Sequence, residues 1–340
     1  MPSTYAAATA IRRVARRVPF SAMPDLPDPP VPDPAEMLAR LKRRERLAQS
    51  NGIELAYDEL GDPDGEPLLL IMGLGTQLVH WDEAFCELLG ERGYRVIRFD
   101  NRDCGHSSKI EGDRIPAPAM LLGLGEPAYK LRDMADDAAG LLDHLDIDAA
   151  HVVGASMGGM IAQSVAIGHP NRVLSLASIM SSTGNRRLGL PRWRAFGTLL
   201  ASPPRSREAY AERAVKTFKV IGSPDYPIEP DRIRALATVA YERCFHPRGI
   251  ARQLHAITSS NDRSRRLREI KAPTVVIHGT ADPLVRTAAG RATAKAIPNS
   301  HLCLIDGMGH DLPPALWPRF AEQIDRNARR AGRSSELLAA

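Results

Sequence analysis

Cysteine is scarce in this 340-residue chain: Cys86, Cys104, Cys244 and Cys303 are the only four. They are dispersed, with no Cys-x-x-Cys pair and no Cys/His cluster. Neither a disulfide framework nor a metal site is therefore expected, and scattered reduced thiols suit the cytoplasm. Aromatic residues make up only 5%. None interleave with basic residues in the way a nucleic-acid surface requires, so no nucleic-acid partner is expected. Long hydrophobic runs are missing too. The longest, Leu68 to Leu74, falls far short of the roughly 20 residues of a membrane helix, which excludes stable membrane insertion by such a segment. No apolar stretch follows the N-terminal charges, so a secretory signal is not expected.

What is present is ordinary for a globular protein, with 44% hydrophobic and 25% charged residues. The length suits one large α/β domain with an insertion, or two modest domains. The net charge of +5 is spread over two arginine groups, Arg12, Arg13, Arg16 and Arg17, and Arg263, Arg265, Arg266 and Arg268. Both read as solvated faces. Residues 1–43 differ from the rest. Ile11, Val14, Ala15 and Val18 recur at helical spacing opposite the first arginines, a short basic amphipathic helix. One such helix binds a membrane surface only weakly. Pro24, Pro27, Pro29, Pro30, Pro32 and Pro34 follow, which predicts an extended segment, read first as a flexible appendage, with packing against the main domain or a partner subunit as the alternative. The sequence does not set the oligomeric state. A homo-oligomer joined through this extension is compatible with it.

From residue 44 the pattern becomes regular. Arg46 to Gln49 and Ile53 to Glu59 flank Ser50-Asn51-Gly52, which predicts a β-hairpin. Leu68 to Met72 is a continuous apolar run, as in a strand buried on both faces. Further strands are predicted at Tyr94 to Phe99, His151 to Gly154 and Val173 to Met180, and helices at Leu78 to Arg92, Tyr129 to Leu145 and Met157 to Gly168. Alternating strands and helices predict a mostly parallel sheet covered on both faces. Over 183–269 the alternation stops and the pattern is helical. Strands resume at Thr274 to Ile277 and His301 to Ile305, and a last helix is predicted from Pro314 to Arg329. The expected organisation is a core of 44–182 and 270–340, interrupted by a helical insertion at 183–269.

Gly154-Ala155-Ser156-Met157-Gly158 is a G-x-S-x-G between a predicted strand and a predicted helix. That setting puts a serine on a sharp turn with its oxygen projecting above the sheet, beside the positive end of a helix dipole. A serine hydroxyl needs a base, and the base needs an orienting group. Asp282 follows the strand Thr274 to Ile277, and His310 follows the strand Leu302 to Ile305 on a glycine-rich loop. Ser156, Asp282 and His310 thus stand in the chain order of a strand–turn–helix serine hydrolase. His278, His151 and His301 read as strand-terminal residues, His106 as a pocket-lining residue, and Asp306 as a strand cap. A tetrahedral intermediate also needs amide donors. Met157 N–H is one expected donor. The other is expected from the loop Gly73-Leu74-Gly75, with Leu74 the candidate and Gly73 or Gly75 left open.

These blocks carry a resemblance. Residues 44 to 330 resemble the α/β-hydrolases, and the stretch from Gly73 through Arg102 is similar to the aclacinomycin methylesterase-like bacterial hydrolases. Asp100-Asn101-Arg102-Asp103-Cys104-Gly105-His106-Ser107 and Gly307-Met308-Gly309-His310 belong to the likeness. The resemblance implies a sheet of about eight strands, a helical cap over 183–269 and a cofactor-free esterase acting on a small-molecule ester. It gives Ser156, Asp282 and His310 the triad roles, and Leu74 with Met157 the oxyanion roles. Two departures stand out: Met72 precedes Gly73 where a histidine is common, and the N-terminal extension has no counterpart. Serine rather than aspartate at the elbow disfavours an alkyl-enzyme route.

The substrate is not legible. Trp193, Phe196, Phe218, Tyr226, Tyr241 and Phe245 are the aromatic residues of 183–269 that could line a pocket. The same triad could serve lactone hydrolysis, carbon–carbon bond hydrolysis, acyl transfer or cofactor-free perhydrolysis, and the fold alone could carry a non-catalytic ligand receptor.

Overall fold

The computed structural model describes residues 29–112, 116–188, 195, 197 and 203–339. The basic helix expected at Ile11 to Val18 lies outside the described residues, as do Trp193 and Phe196.

The expected hairpin forms from β1 (Arg46–Ser50) and β2 (Ile53–Gly61), which pair antiparallel with Ser50 opposite Ile53. Asn51 and Gly52 make the two-residue turn with φ of 49° and 77°, the geometry that matches strand twist. The remaining strands are β3 (Glu66–Ile71), β4 (Tyr94–Phe99), β5 (Ala150–Ala155), β6 (Val173–Ile179), β7 (Thr274–Gly279) and β8 (Ser300–Ile305). The eight strands form one sheet in the order β1-β2-β4-β3-β5-β6-β7-β8. β2 and β4 pair antiparallel, and β4 through β8 run parallel.

The apolar run in β3 is buried on both faces, as its composition predicts: Leu68 to Ile71 are all 0% exposed. Leu69 and Ile71 face a core shared with α4 (Leu131–His144) and α5 (Met157–Gly168). Leu68 and Leu70 face a second core shared with α2 (Glu83–Gly90) and α10 (Trp317–Ala339).

Two expectations are corrected. The helix predicted over Leu78 to Arg92 is broken into a 3₁₀ turn, Leu78–His80, and α2. Asp82 accepts from Ala84 N–H at 3.0 Å and so starts a new helix. The linker predicted to be flexible through residue 43 is instead a docked helix over its last part, α1 (Pro34–Arg44). Asp33 Oδ1 accepts from Ala35 N–H at 2.7 Å, and Pro34 stands where a helix has no use for an N–H. Met37 and Leu41, one turn apart, pack against Leu78, Val79, Val239 and Ala240.

Between β6 and β7 lie α6 (Arg207–Ile221), α7 (Pro230–Arg243) and α8 (Pro247–Ser259). A short helix not expected from the sequence, α3 (Ala117–Leu122), packs against α8. A further helix, α9 (Thr287–Ala296), lies between β7 and β8 in the chain and packs against both. Among the described residues, no helix is long and apolar enough to cross a membrane.

Candidate active site

Ser156 sits between the end of β5 and the start of α5 with φ 56° and ψ −119°, a conformation L-residues rarely adopt. The turn is possible because its neighbours are small. A Cβ on Gly154 would come within 2.2 Å of Gly158 O, and one on Gly158 within 2.0 Å of Ile71 O. Ser156 N–H donates to Ile179 O at 2.9 Å, and Ser181 Oγ donates to Ser156 O at 2.8 Å. The serine is thereby tied to β6 on one side.

His310 and Asp282 arrive from loops after the neighbouring strands β8 and β7. His310 Nδ1 lies 2.8 Å from Asp282 Oδ2, and His310 Nε2 lies 2.9 Å from Ser156 Oγ. A carboxylate oxygen only accepts, so Nδ1 carries the proton and Nε2 is free to accept from the serine hydroxyl. Asp282 Oδ1 accepts from Leu284 N–H and Val285 N–H, both at 2.8 Å. Asp282 is 3% and His310 8% exposed, so the chain of three groups is sheltered from water. The arrangement can pass the hydroxyl proton to the imidazole while the carboxylate holds the ring.

The other candidates fall elsewhere. His278 ends β7 and donates from Nε2 to Val285 O at 2.8 Å. Burial pushes its pKa down, opposed by the nearby Asp282 charge. His151 Nδ1 meets Ser175 Oγ at 2.9 Å, and His301 and Asp306 are exposed. His106 does not line the cavity. Its two nitrogens face Glu45 and Arg243 O, both acceptors, and the Glu45 hydrogen bond raises its pKa.

Leu74 lies in the loop after β3, and a Cβ on Gly73 would sit 3.3 Å from Ser156 Cβ, so this loop runs directly beside the serine. Gly75 N–H donates to Gln253 Oε1 at 2.8 Å, which takes Gly75 out of consideration as a donor to substrate. The Asp100–Ser107 block holds this loop in place. Asn101 Nδ2 donates to Met72 O at 3.0 Å, Asp100 Oδ1 accepts from Leu78 N–H at 2.7 Å, and Gln253 Nε2 donates to Arg102 O at 2.8 Å. Asp100 also meets Arg243 of α7 at 2.9 Å, and Asp103 meets Arg252 of α8 at 2.7 Å.

Above the serine lies a cavity of about 510 Å³ with mainly apolar walls. Met72, Leu74, Met157 and Met160 come from the core, and Tyr210, Phe218 and Ile221 from α6. Of the described aromatic residues expected to line it, Phe218 does so. Tyr241 and Phe245 stack on each other with centroids 5.1 Å apart and meet the Tyr210 ring at an angle, each with centroids 5.6 Å away, and Tyr226 packs on the core. Residues missed by motif reasoning are Tyr210, Trp81, Trp317 and a polar group, His80, Asp82, Arg232 and Asp311. Arg232 pairs with Asp82, donates to the Pro29 and Pro30 carbonyls at 2.6 and 2.7 Å, and lies over the Trp317 ring. Burial pushes the His80 pKa down to about 4. It raises that of Asp82 in spite of Arg232.

A family model described as the alpha/beta hydrolase fold matches residues 66–313. Two curated relatives are rhodomycin D methylesterases, DnrP of Streptomyces peucetius and DauP of Streptomyces sp. strain C5. Each is 29% identical over 307 residues, covering 84% of this chain and 98% of its own. Among solved structures, the enol-lactonase from Burkholderia xenovorans LB400 superposes with a TM-score of 0.62 at 24% identity, covering 84% of this chain and 99% of its own. The last comparison speaks to the fold alone.

Proposed function

The chain belongs to the α/β-hydrolase fold family, and from that premise we propose that it hydrolyses a carboxylic ester through an acyl-Ser156 intermediate. The observation that carries the reading is the continuous chain from Asp282 through His310 to Ser156, with 2.8 and 2.9 Å contacts, opening into the apolar cavity.

In this account His310 Nε2 takes the Ser156 proton as Oγ attacks the ester carbonyl. Asp282 fixes the tautomer and stabilises the imidazolium. The carbonyl oxygen becomes an oxyanion held by Met157 N–H at the start of α5 and by Leu74 N–H. Collapse expels the alcohol, which takes the proton from His310. Water, deprotonated by the same imidazole, then attacks the acyl carbon and releases the acid, and Ser156 regains its proton. Residues 183–269 act as a cap that shelters the site over a core of 44–182 and 270–340, against which α1 docks. The relatives' name as methylesterases makes a methyl ester on a bulky acyl group the first substrate class to test.

The test is a panel of p-nitrophenyl esters of increasing acyl length together with bulky methyl esters, run beside Ser156→Ala. Turnover that disappears in Ser156→Ala, with the far-UV and near-UV circular dichroism unchanged, is the expected result. Turnover at the wild-type rate in Ser156→Ala would overturn the proposal.

A further inference from the structure

The loop carrying His310 is gripped by the end of α6 and the residues just after it. His310 N–H donates to Ile221 O at 2.7 Å, and Asp225 N–H donates to Gly307 O at 3.4 Å. Side chains close the grip. Ser223 N–H donates to Asp311 Oδ2 at 3.0 Å, Ser223 Oγ donates to Asp311 Oδ1, and Gly309 N–H donates to Ser223 Oγ at 2.8 Å. The serine hydroxyl accepts from one side and must give its proton to the carboxylate on the other. The backbones meet so closely that a Cβ on Gly309 would lie 2.3 Å from Gly222 O. Residues 307–311 and 221–225 therefore form one hydrogen-bonded unit across the junction of core and insertion.

Neither Ser223 nor Asp311 enters the chemistry described above. Both are buried, and burying a carboxylate contributes little to stability by itself. Burial pushes the Asp311 pKa up, opposed by the two Ser223 donors and by His310. What the pair does supply is geometry, one residue away from the imidazole. The same α6 that ends in this unit presents Tyr210, Phe218 and Ile221 to the cavity.

We propose that Ser223 and Asp311 are positioning residues: they fasten the His310 loop to the end of α6, so that Nε2 faces Ser156 Oγ only when that helix is seated over the cavity. The inference rests on reading His310 as the base. It makes substrate packing against α6 and base placement two aspects of one rigid unit. It also separates position from charge. Asp311 adds a negative group near an imidazole that already faces Asp282 and His278, but its role here is to hold the loop.

The test compares Ser223→Ala, Asp311→Ala and Asp311→Asn in the full chain, with His310→Ala as control, by steady-state hydrolysis of a p-nitrophenyl ester from pH 5 to 9. Ser223→Ala and Asp311→Ala are expected to lower kcat by about 10- to 100-fold, the scale of a small misplacement of a catalytic group, with KM within about twofold. Asp311→Asn can still accept from Ser223 N–H and can donate to Ser223 Oγ. It should restore kcat to within about threefold, with the acid limb of the pH profile unmoved. Wild-type kcat in Ser223→Ala would overturn the inference, and that variant carries the test if Asp311→Ala does not fold. So would Asp311→Asn being as slow as Asp311→Ala with its acid limb displaced, since charge would then be the operative property. Retained turnover in His310→Ala would instead sink the base assignment, which distinguishes the two failures.

Discussion

Ser156 holds the strained backbone position of the site, and strain of this kind costs about 1–3 kcal/mol. The hydrogen bonds to Ile179 and from Ser181 oppose its relaxation. Glycine tolerates positive φ and alanine does not. Ser156→Gly should therefore be more stable to urea than Ser156→Ala by roughly 1–2 kcal/mol, although neither has a nucleophile. Equal midpoints would show that the turn is not strained. His80 gives a second prediction. Burial moves its pKa from 6.5 to about 4, so between those values an unfolded chain binds a proton that the folded one refuses. The contribution is whole above pH 6.5 and is lost as pH falls toward 4. In His80→Gln, stability measured by urea titration should fall less steeply across that window, and an unchanged slope would contradict the assignment. Ser156, Asp282 and His310 are legible from sequence because each follows an apolar strand in a fixed order. His80, Asp82, Arg232 and Ser223 are not, because they belong to no motif and meet only when distant loops are folded together.

At the scale of elements, α1 changes the picture most. Its two buried residues, Met37 and Leu41, fill a pocket between the core turn Leu78–His80 and helix α7, while Arg40 and Arg44 reach Glu83 at 3.0 Å and Asp58 at 3.4 Å. Upstream, the Pro29 and Pro30 carbonyls hold Arg232. The segment thus spans from core to insertion. Met37→Ala and Leu41→Ala should each cost about 2–5 kcal/mol by chemical denaturation, as buried truncations do. Losses under about 0.5 kcal/mol, the range of surface substitutions, would mean that α1 is only loosely docked. The sequence held this helix's signals in Asp33-Pro34 and in the i, i+4 pair Met37 and Leu41, but the surrounding prolines read as a linker. The hairpin at Asn51-Gly52 was legible because one turn type satisfies it. The break at Asp82 was not, because the apolar spacing runs on through Trp81 and Phe85 and hides the new helix start.

For the whole molecule, the sheet order brings the ends of β5, β7 and β8 to one edge, and the helices between β6 and β7 lie over it. That architecture was readable from strand–helix alternation, which parallel pairing demands. The cavity's shape was not, since it arises from side chains of many segments. The central claim is that an ester's acyl group passes through Ser156, and acid-quenched peptide mapping tests it most directly. The enzyme is mixed with an activated ester, stopped in acid within the first turnovers, digested and weighed by mass spectrometry. The account predicts an acyl increment on the peptide containing Ser156, absent in Ser156→Ala. Ester turnover with no increment there, or with the acyl group on another residue, would contradict it.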